Sequence, residues 1–307
     1  MGEPNQPGIQ YASQGTERDL RLYQAVGGTM VVNAQLDDES NEGGVVSSAS
    51  KIGRGTVTLN DNAKGASDVQ AWNVMGGTLE WVWRSSGSGN DRFARASNNN
   101  NGARLLLGGG TLHVVGATDA DRDQDLPGAR FTLTPGGSEL WVTAQNAGTA
   151  RTTTLRVGRG SGTSFYRSSG SLLNVIEDAN GGTAYVTLNV SGSAAGSFGA
   201  LVSLGIAPWA THTTTPGAVD SFLDVGASGA TNPFTGHVDG VGQAQYAAGV
   251  HPNVTGDITF TAAAAPETLR FNTDGVALTQ DGYGMTLGSG GILVTSSITT
   301  GASLSGG

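Results

Sequence analysis

The chain has 307 residues, 50 of them glycine, about 16% against a usual ~7%. Without the triplet period of collagen, and with Val, Leu, Ile and Thr throughout, this excludes a collagen-like fibre and a disordered linker and asks for many short strands joined by tight turns. A net charge of −9 with 16 scattered Lys and Arg residues argues against a nucleic-acid partner, and the absence of cysteine removes disulfides, thiolate metal sites and thiol catalysis.

Residues Met1 to Pro7 have neither a basic n-region nor an apolar h-region, and no apolar run approaches the length of a membrane helix, so no export signal and no membrane span are expected in this segment. Strand signals continue almost to Gly307, which reads as a piece of a longer protein.

In chain order, residues 1–26 read as an extended lead. Thr16 with Asp19 offers a capping-box-like start for a helix, but the alternation Leu20, Leu22, Met30, Val32 around Gly27-Gly28 favours two strands and a turn. From residue 27 a unit recurs in which glycines are followed by Thr-apolar-x-apolar. Thr29, Thr56, Thr78 and Thr111 stand 27, 22 and 33 residues apart, inside the ~20–45 residue range of solenoid repeats. Aligned on these threonines, Met30 and Val32, Val57 and Leu59, Leu79 and Trp81, Leu112 and Val114 point to one face, and Val31, Thr58, Glu80 and His113 to the other. A shared register between distant strands predicts an all-β fold, a parallel β-helix over 27–205 with projecting loops, among them Ser85–Asn90, Ser97–Asn101 and Ala117–Pro127. At Gly136-Gly137-Ser138 the unit slips by one residue, which turns Trp141 outward. Residues 206–256 are poor in large apolar side chains and interrupted by Pro208, Pro216, Pro233 and Pro252, and read as a loop-rich excursion. Strand signals resume over 257–307 at Ile258–Phe260, Leu269–Phe271, Val276–Leu278, Met285–Leu287 and Ile292–Val294.

The stretch Lys51-Ile52-Gly53-Arg54-Gly55-Thr56-Val57-Thr58-Leu59 is similar to the Lys-x-Gly-x-Gly-Thr-Leu-Thr-Leu unit of autotransporter-associated β-strand-repeat proteins, with further matches at Gly76-Gly77-Thr78-Leu79, Leu107–Leu112, Gly205–Thr211, Leu269–Asn272 and Ser289–Val294. The resemblance implies a right-handed parallel β-helix (β-solenoid), exported and bacterial, at the cell surface or in the extracellular matrix. Such a protein is adhesive or structural, not an enzyme, and associates with itself, with other surface proteins or with glycans.

Few residues suggest chemistry. Asp119, Asp121, Asp123 and Asp125 alternate in one stretch and could supply oxygens to calcium, but the glycine and closing glutamate of an EF-hand are missing, and a solvated acidic loop is the favoured reading; no other cofactor is expected. Asp37-Asp38-Glu39 with Glu42 is a weaker acidic group. Trp81 and Trp83 share a face with Leu79, which marks core, although an aromatic near a loop can also stack a sugar. The histidines His113, His212, His237 and His251 lack metal-ligand spacing. Asn33 and Asn60 share a register and could form an amide ladder, and Asn189 and Asn253 begin glycosylation-type triplets. The alternative to an adhesive scaffold is a carbohydrate-active β-helix, a lyase or hydrolase or a glycan-binding tail fibre. Its enzymatic form needs clustered outward carboxylates and a base, and none can be assembled from spacing alone.

Overall fold

The computed structural model describes residues 9–10, 17–25, 27–33, 36–37, 46–60, 71–83, 104–126, 130–157, 164–188, 206–226 and 229–306. The chain is all-β, with parallel sheets, and the described residues contain no α-helix. It divides into two compact units, residues 1–200 with 227–230, and 201–226 with 231–307.

In the first unit, one sheet joins Thr29–Val32, Thr56–Asn60, Gly77–Val82, Gly110–Val115, Gly136–Thr143 and Ser171–Asp178, each parallel to the next. A second joins Glu17–Tyr23, Val46–Ile52, Ala71–Val74, Arg104–Leu107, Arg130–Leu133 and Ser164–Arg167, also parallel throughout. Along the chain, each second-sheet strand leads into a first-sheet strand, and the two together make one pass. From Arg122 onward each pass gains a strand in a third parallel sheet, Arg122–Leu126, Thr152–Val157 and Thr183–Leu188. The region read as a lead therefore contributes a strand, Glu17–Tyr23, and the extended alternative to a helix is the one adopted.

The register is the one the threonines predict. Thr29, Thr56, Thr78 and Thr111 are Cα partners in succession, as are Met30, Val57, Leu79 and Leu112. Since side chains alternate faces along a strand, Val57, Leu79 and Leu112 are all fully enclosed, and Val32, Leu59, Trp81 and Val114 are buried beside them. The second sheet contributes Trp72, Val74, Leu105, Leu107, Phe131 and Leu133.

The turn between the two strands of a pass requires glycine. Gly53 has φ 87, a left-handed conformation costly for other residues, and Gly77 has φ 60 at a place where a Cβ would collide with the Gly55 carbonyl oxygen of the preceding turn. Turns can therefore stack as closely as strands, and backbone hydrogen bonds cross between them, from Gly55 N–H to Gln24 O and from Thr78 N–H to Gly55 O. Lys51 closes this junction. Its side chain is fully buried, and its Nζ donates to the carbonyls of Ile52, Gly53 and, on the next pass, Gly76, at 3.3, 2.8 and 3.0 Å. Burial lowers the pKa of this ammonium, and three carbonyl acceptors partly offset the loss of water.

The expected loop Ala117–Pro127 is corrected in its second half, where Arg122–Leu126 forms a strand. Gln124 and Leu126 are buried on one face, and the acidic residues of the other face are neutralised by arginine, which removes the objection to an acidic strand. The stretches Ser85–Asn90 and Ser97–Asn101 lie outside the described residues.

The second unit combines an antiparallel group, Ala207–Thr213, Ser221–Val225 and Thr231–Pro233, with two parallel sheets. One consists of Val238–Gly240, Pro252–Val254, Thr268–Phe271 and Gly291–Val294, the other of Ile258–Thr259, Ala277–Thr279 and Ser303–Ser305. Tyr246, Val254, Ile258, Phe260, Leu269, Phe271, Val276 and Leu278 form its main core. Residues 206–256 thus hold short strands and share a core with residues of the 257–307 stretch. Tyr246 and Val254 are the large side chains from 206–256 around which the shared core closes. Met285–Leu287, expected as a strand, makes only an isolated bridge from Met285 to Ala264.

Leu112→Ala should cost about 2–5 kcal/mol, because Leu112 is enclosed between Leu79 and Leu140. Val31→Ala, at an outward position that is 52% exposed, should stay within about 0.5 kcal/mol. Equal shifts of the urea midpoint would refute the inward–outward assignment.

Candidate functional site

The outward face of the first sheet carries a connected set of polar side chains. In-register pairing places Thr58, Glu80, His113 and Trp141 in one column and Val115, Thr143 and Asp178 in the adjoining one. Thr58 Oγ1 donates to Glu80 Oε1 at 3.0 Å, Glu80 Oε2 lies 3.1 Å from His113 Nδ1, His113 Nε2 lies 2.9 Å from Thr143 Oγ1, and Thr143 Oγ1 donates to Asp178 Oδ2 at 3.3 Å. The chain of bonds crosses five successive strands. The His113 ring also stacks on Trp141, with centroids 3.8 Å apart.

Thr58 and His113 do point away from the core, yet both are buried; hydrogen bonds to the neighbouring passes and the Trp141 indole cover them. Trp141 faces outward, as the one-residue slip requires, and Glu139 takes the position of Thr111 and accepts a hydrogen bond from its hydroxyl at 2.8 Å.

The hydrogen bond from His113, helped by Thr58, lowers the Glu80 pKa against the opposing effect of burial, so Glu80 is held as a carboxylate. Thr143 directs its hydroxyl proton to Asp178. The order hydroxyl, Nε2, Nδ1, carboxylate is that of a nucleophilic triad, here with both Thr143 and His113 buried. The network ties five strands together through side-chain hydrogen bonds.

The acidic residues of the candidate calcium site are dispersed among protein partners. Asp119 pairs with Arg122 at 3.2 Å, Asp121 accepts the Thr152 amide at 2.8 Å, and Asp123 and Asp125 share Arg156 at 3.0 and 3.1 Å. A cation there would have to displace guanidinium groups, and no grouping of three or more His, Asp or Glu side chains suited to a metal occurs among the described residues. Of the weaker group, Asp38, Glu39 and Glu42 lie outside the described residues.

Trp81 and Trp83 are buried, in keeping with core. Asn60 Nδ2 donates to Asn33 Oδ1 at 2.8 Å, the amide contact the shared register suggested. Asn253 lies in a strand, buried and bonded to Asp239 and Arg270; Asn189 is outside the described residues.

The second unit contains an imidazole–aromatic cluster that spacing does not reveal. His237 and His251 precede the paired residues Val238 and Pro252, and both rings set an edge against Phe234, at 4.9 and 4.8 Å. His251 Nδ1 meets Thr268 Oγ1 at 3.0 Å. Burial, and then the Arg270 charge, pushes the His237 pKa down to about 4; burial lowers that of His251 despite Glu267. Comparison with family models, curated proteins and solved structures returns no match.

Glu80→Ala and His113→Ala should each cost about 1–3 kcal/mol, with the double variant falling short of their sum by about 0.5 kcal/mol or more; additive urea midpoints would dissolve the network. In the second unit the folded imidazoles refuse protons that the unfolded chain accepts, so stability is fully present above about pH 6.5 and is lost as pH falls towards 4. His237→Phe should flatten the pH dependence of the thermal midpoint in that window by the equivalent of about 2 kcal/mol, after discounting for partial exposure; an unchanged slope would contradict the assignment.

Proposed function

We propose that the chain is a section of a parallel β-solenoid, wound right-handed, that serves a non-enzymatic structural or adhesive role in a large exported bacterial surface or matrix protein. The observation that carries this reading is the succession of passes in one register, Thr29 to Thr56 to Thr78 to Thr111, each returning through a second parallel sheet. Right-handed winding accords with the usual hand of crossovers between parallel strands. The repeat resemblance at Lys51–Leu59 supports the same reading, and the buried Lys51 gives its lysine a physical task in joining consecutive turns. The mechanism is mechanical. Backbone hydrogen bonds between passes, a continuous apolar interior and the side-chain chain through His113 resist local opening, and the outward faces and strand edges are left for contacts.

A solenoid tolerates loss of a whole repeat because each repeat touches only its neighbours. Deleting residues 77–109 joins Gly76 to Gly110, the register partner of Gly77, and should leave a cooperative unfolding transition. Deleting 77–93 removes a first-sheet strand but keeps its second-sheet companion, and should abolish that transition. Loss of folding in both deletions would overturn the solenoid reading. Incubation with acidic and neutral polysaccharides should release no new reducing or unsaturated ends; their appearance would make the chain a carbohydrate-active enzyme instead.

A further inference from the structure

Charge differs between the first sheet and the last four strands of the second. The first-sheet strands hold Glu80, Glu139, Glu177 and Asp178 and no Lys or Arg. The last four second-sheet strands, Ala71–Val74, Arg104–Leu107, Arg130–Leu133 and Ser164–Arg167, hold three arginines and no carboxylate. Arg104 and Arg130 are Cα partners on adjacent strands, and both are exposed. Like-charged side chains directly opposite on one face of strands ~4.8 Å apart are unfavourable. Elsewhere in this chain Arg122 and Arg156 are matched with aspartates; among the described residues neither Arg104 nor Arg130 has a carboxylate partner. The Arg130 guanidinium lies 5.5 Å over the ring of Tyr166, itself 47% exposed. The tyrosine holds the cation in place and presents flat apolar surface next to it.

We propose that this strip, Arg104, Arg130 and Tyr166, is a docking surface for a linear acidic polysaccharide, running from pass to pass along the outer face of the second sheet. The proposal deepens the adhesive reading and rests on it. Charge complementarity selects the partner. In a protein of net charge −9 a polyanion is repelled on average, so it must bind where cations are concentrated and acids are absent. Paired guanidinium groups suit carboxylate or sulfate oxygens in two-pronged geometry, the spacing of one strand is close to the length of one sugar unit, and an exposed tyrosine offers the face on which a pyranose ring rests. Carboxylate and sulfate share this chemistry and are separated by the choice of ligand.

The test uses the whole chain against immobilised polygalacturonate, dextran sulfate and neutral dextran at low and physiological salt. One or both polyanions should bind, with dextran inert, and binding should weaken as salt rises. Arg104→Gln and Arg130→Gln should each weaken binding about fivefold or more, and each should reduce the log–log salt slope by about one. Tyr166→Ala should weaken binding about threefold, as loss of stacking and of the cation–π contact requires. Arg54→Gln removes the same charge from an exposed turn and should change binding less than about twofold. Unchanged thermal midpoints in all variants would show that the fold is intact. Absence of polyanion binding, or binding indifferent to Arg104 and Arg130, overturns the proposal, and the solenoid reading then still stands or falls on the deletion pair. Salt-sensitive self-association of the unliganded chain, abolished by the same two substitutions, would overturn it in favour of a second copy of the chain as the occupant.

Discussion

In-register parallel pairing sets each side chain directly against the residue at the same position one pass earlier and one pass later. Nothing else in the first unit is independent of this constraint. Leu79 lies between Val57 and Leu112 because the register puts it there, and all three are enclosed. The constraint favours like on like for apolar groups, which gain by stacking, and for groups that both donate and accept, such as Asn33 with Asn60. It penalises like on like for charges. The first sheet meets this penalty by breaking the column: Thr58, Glu80, His113 and Trp141 succeed one another so that every charge has a polar or aromatic neighbour of a different kind.

The same constraint explains Lys51. Stacked glycine turns bring carbonyl oxygens of successive passes together at a place too crowded for a Cβ, as Gly77 against Gly55 shows. Crowded carbonyls need a donor that no backbone amide can reach, and a lysine entering from the strand can reach three of them. An ammonium serves better than a neutral donor because it has three N–H groups and its charge is balanced by carbonyl dipoles. The second unit solves a related problem differently, with Asp274 at a turn accepting the Thr299 and Thr300 amides and the Thr299 hydroxyl, contacts that hold its pKa at about 2.

Much of this fold was legible in the amino-acid pattern, and the limits have physical causes. The register of the first four first-sheet strands could be read because glycine punctuates each turn and threonine begins each strand, so a local signal coincides with a long-range one. The strand Arg122–Leu126 was not legible, since Asp123 and Asp125 look like a loop until Arg156, 31 residues beyond Asp125, is known to be their partner. The polar network was half legible. Glu80 and His113 fall in one column by alignment, and the one-residue slip at Ser138 is readable from its glycine pair, but Asp178 comes into reach only through a second offset at Ser171 that no local motif reports. The imidazole pair of the second unit left no signal at all, because His237 and His251 are brought together by the pairing of strands only three residues long.

In a molecule built this way an exposed like-charged pair is informative. An acidic side chain at the Arg104 position, or at Ala71 or Ser164 in the flanking passes, would neutralise the strip, and the first sheet and the Asp123–Arg156 pair show that this chain makes such matches readily. Among the described residues this pair is left without such a match. The proposed polysaccharide would supply the opposite charge, and the exposed Tyr166 ring next to Arg130 would give it a flat face to rest on.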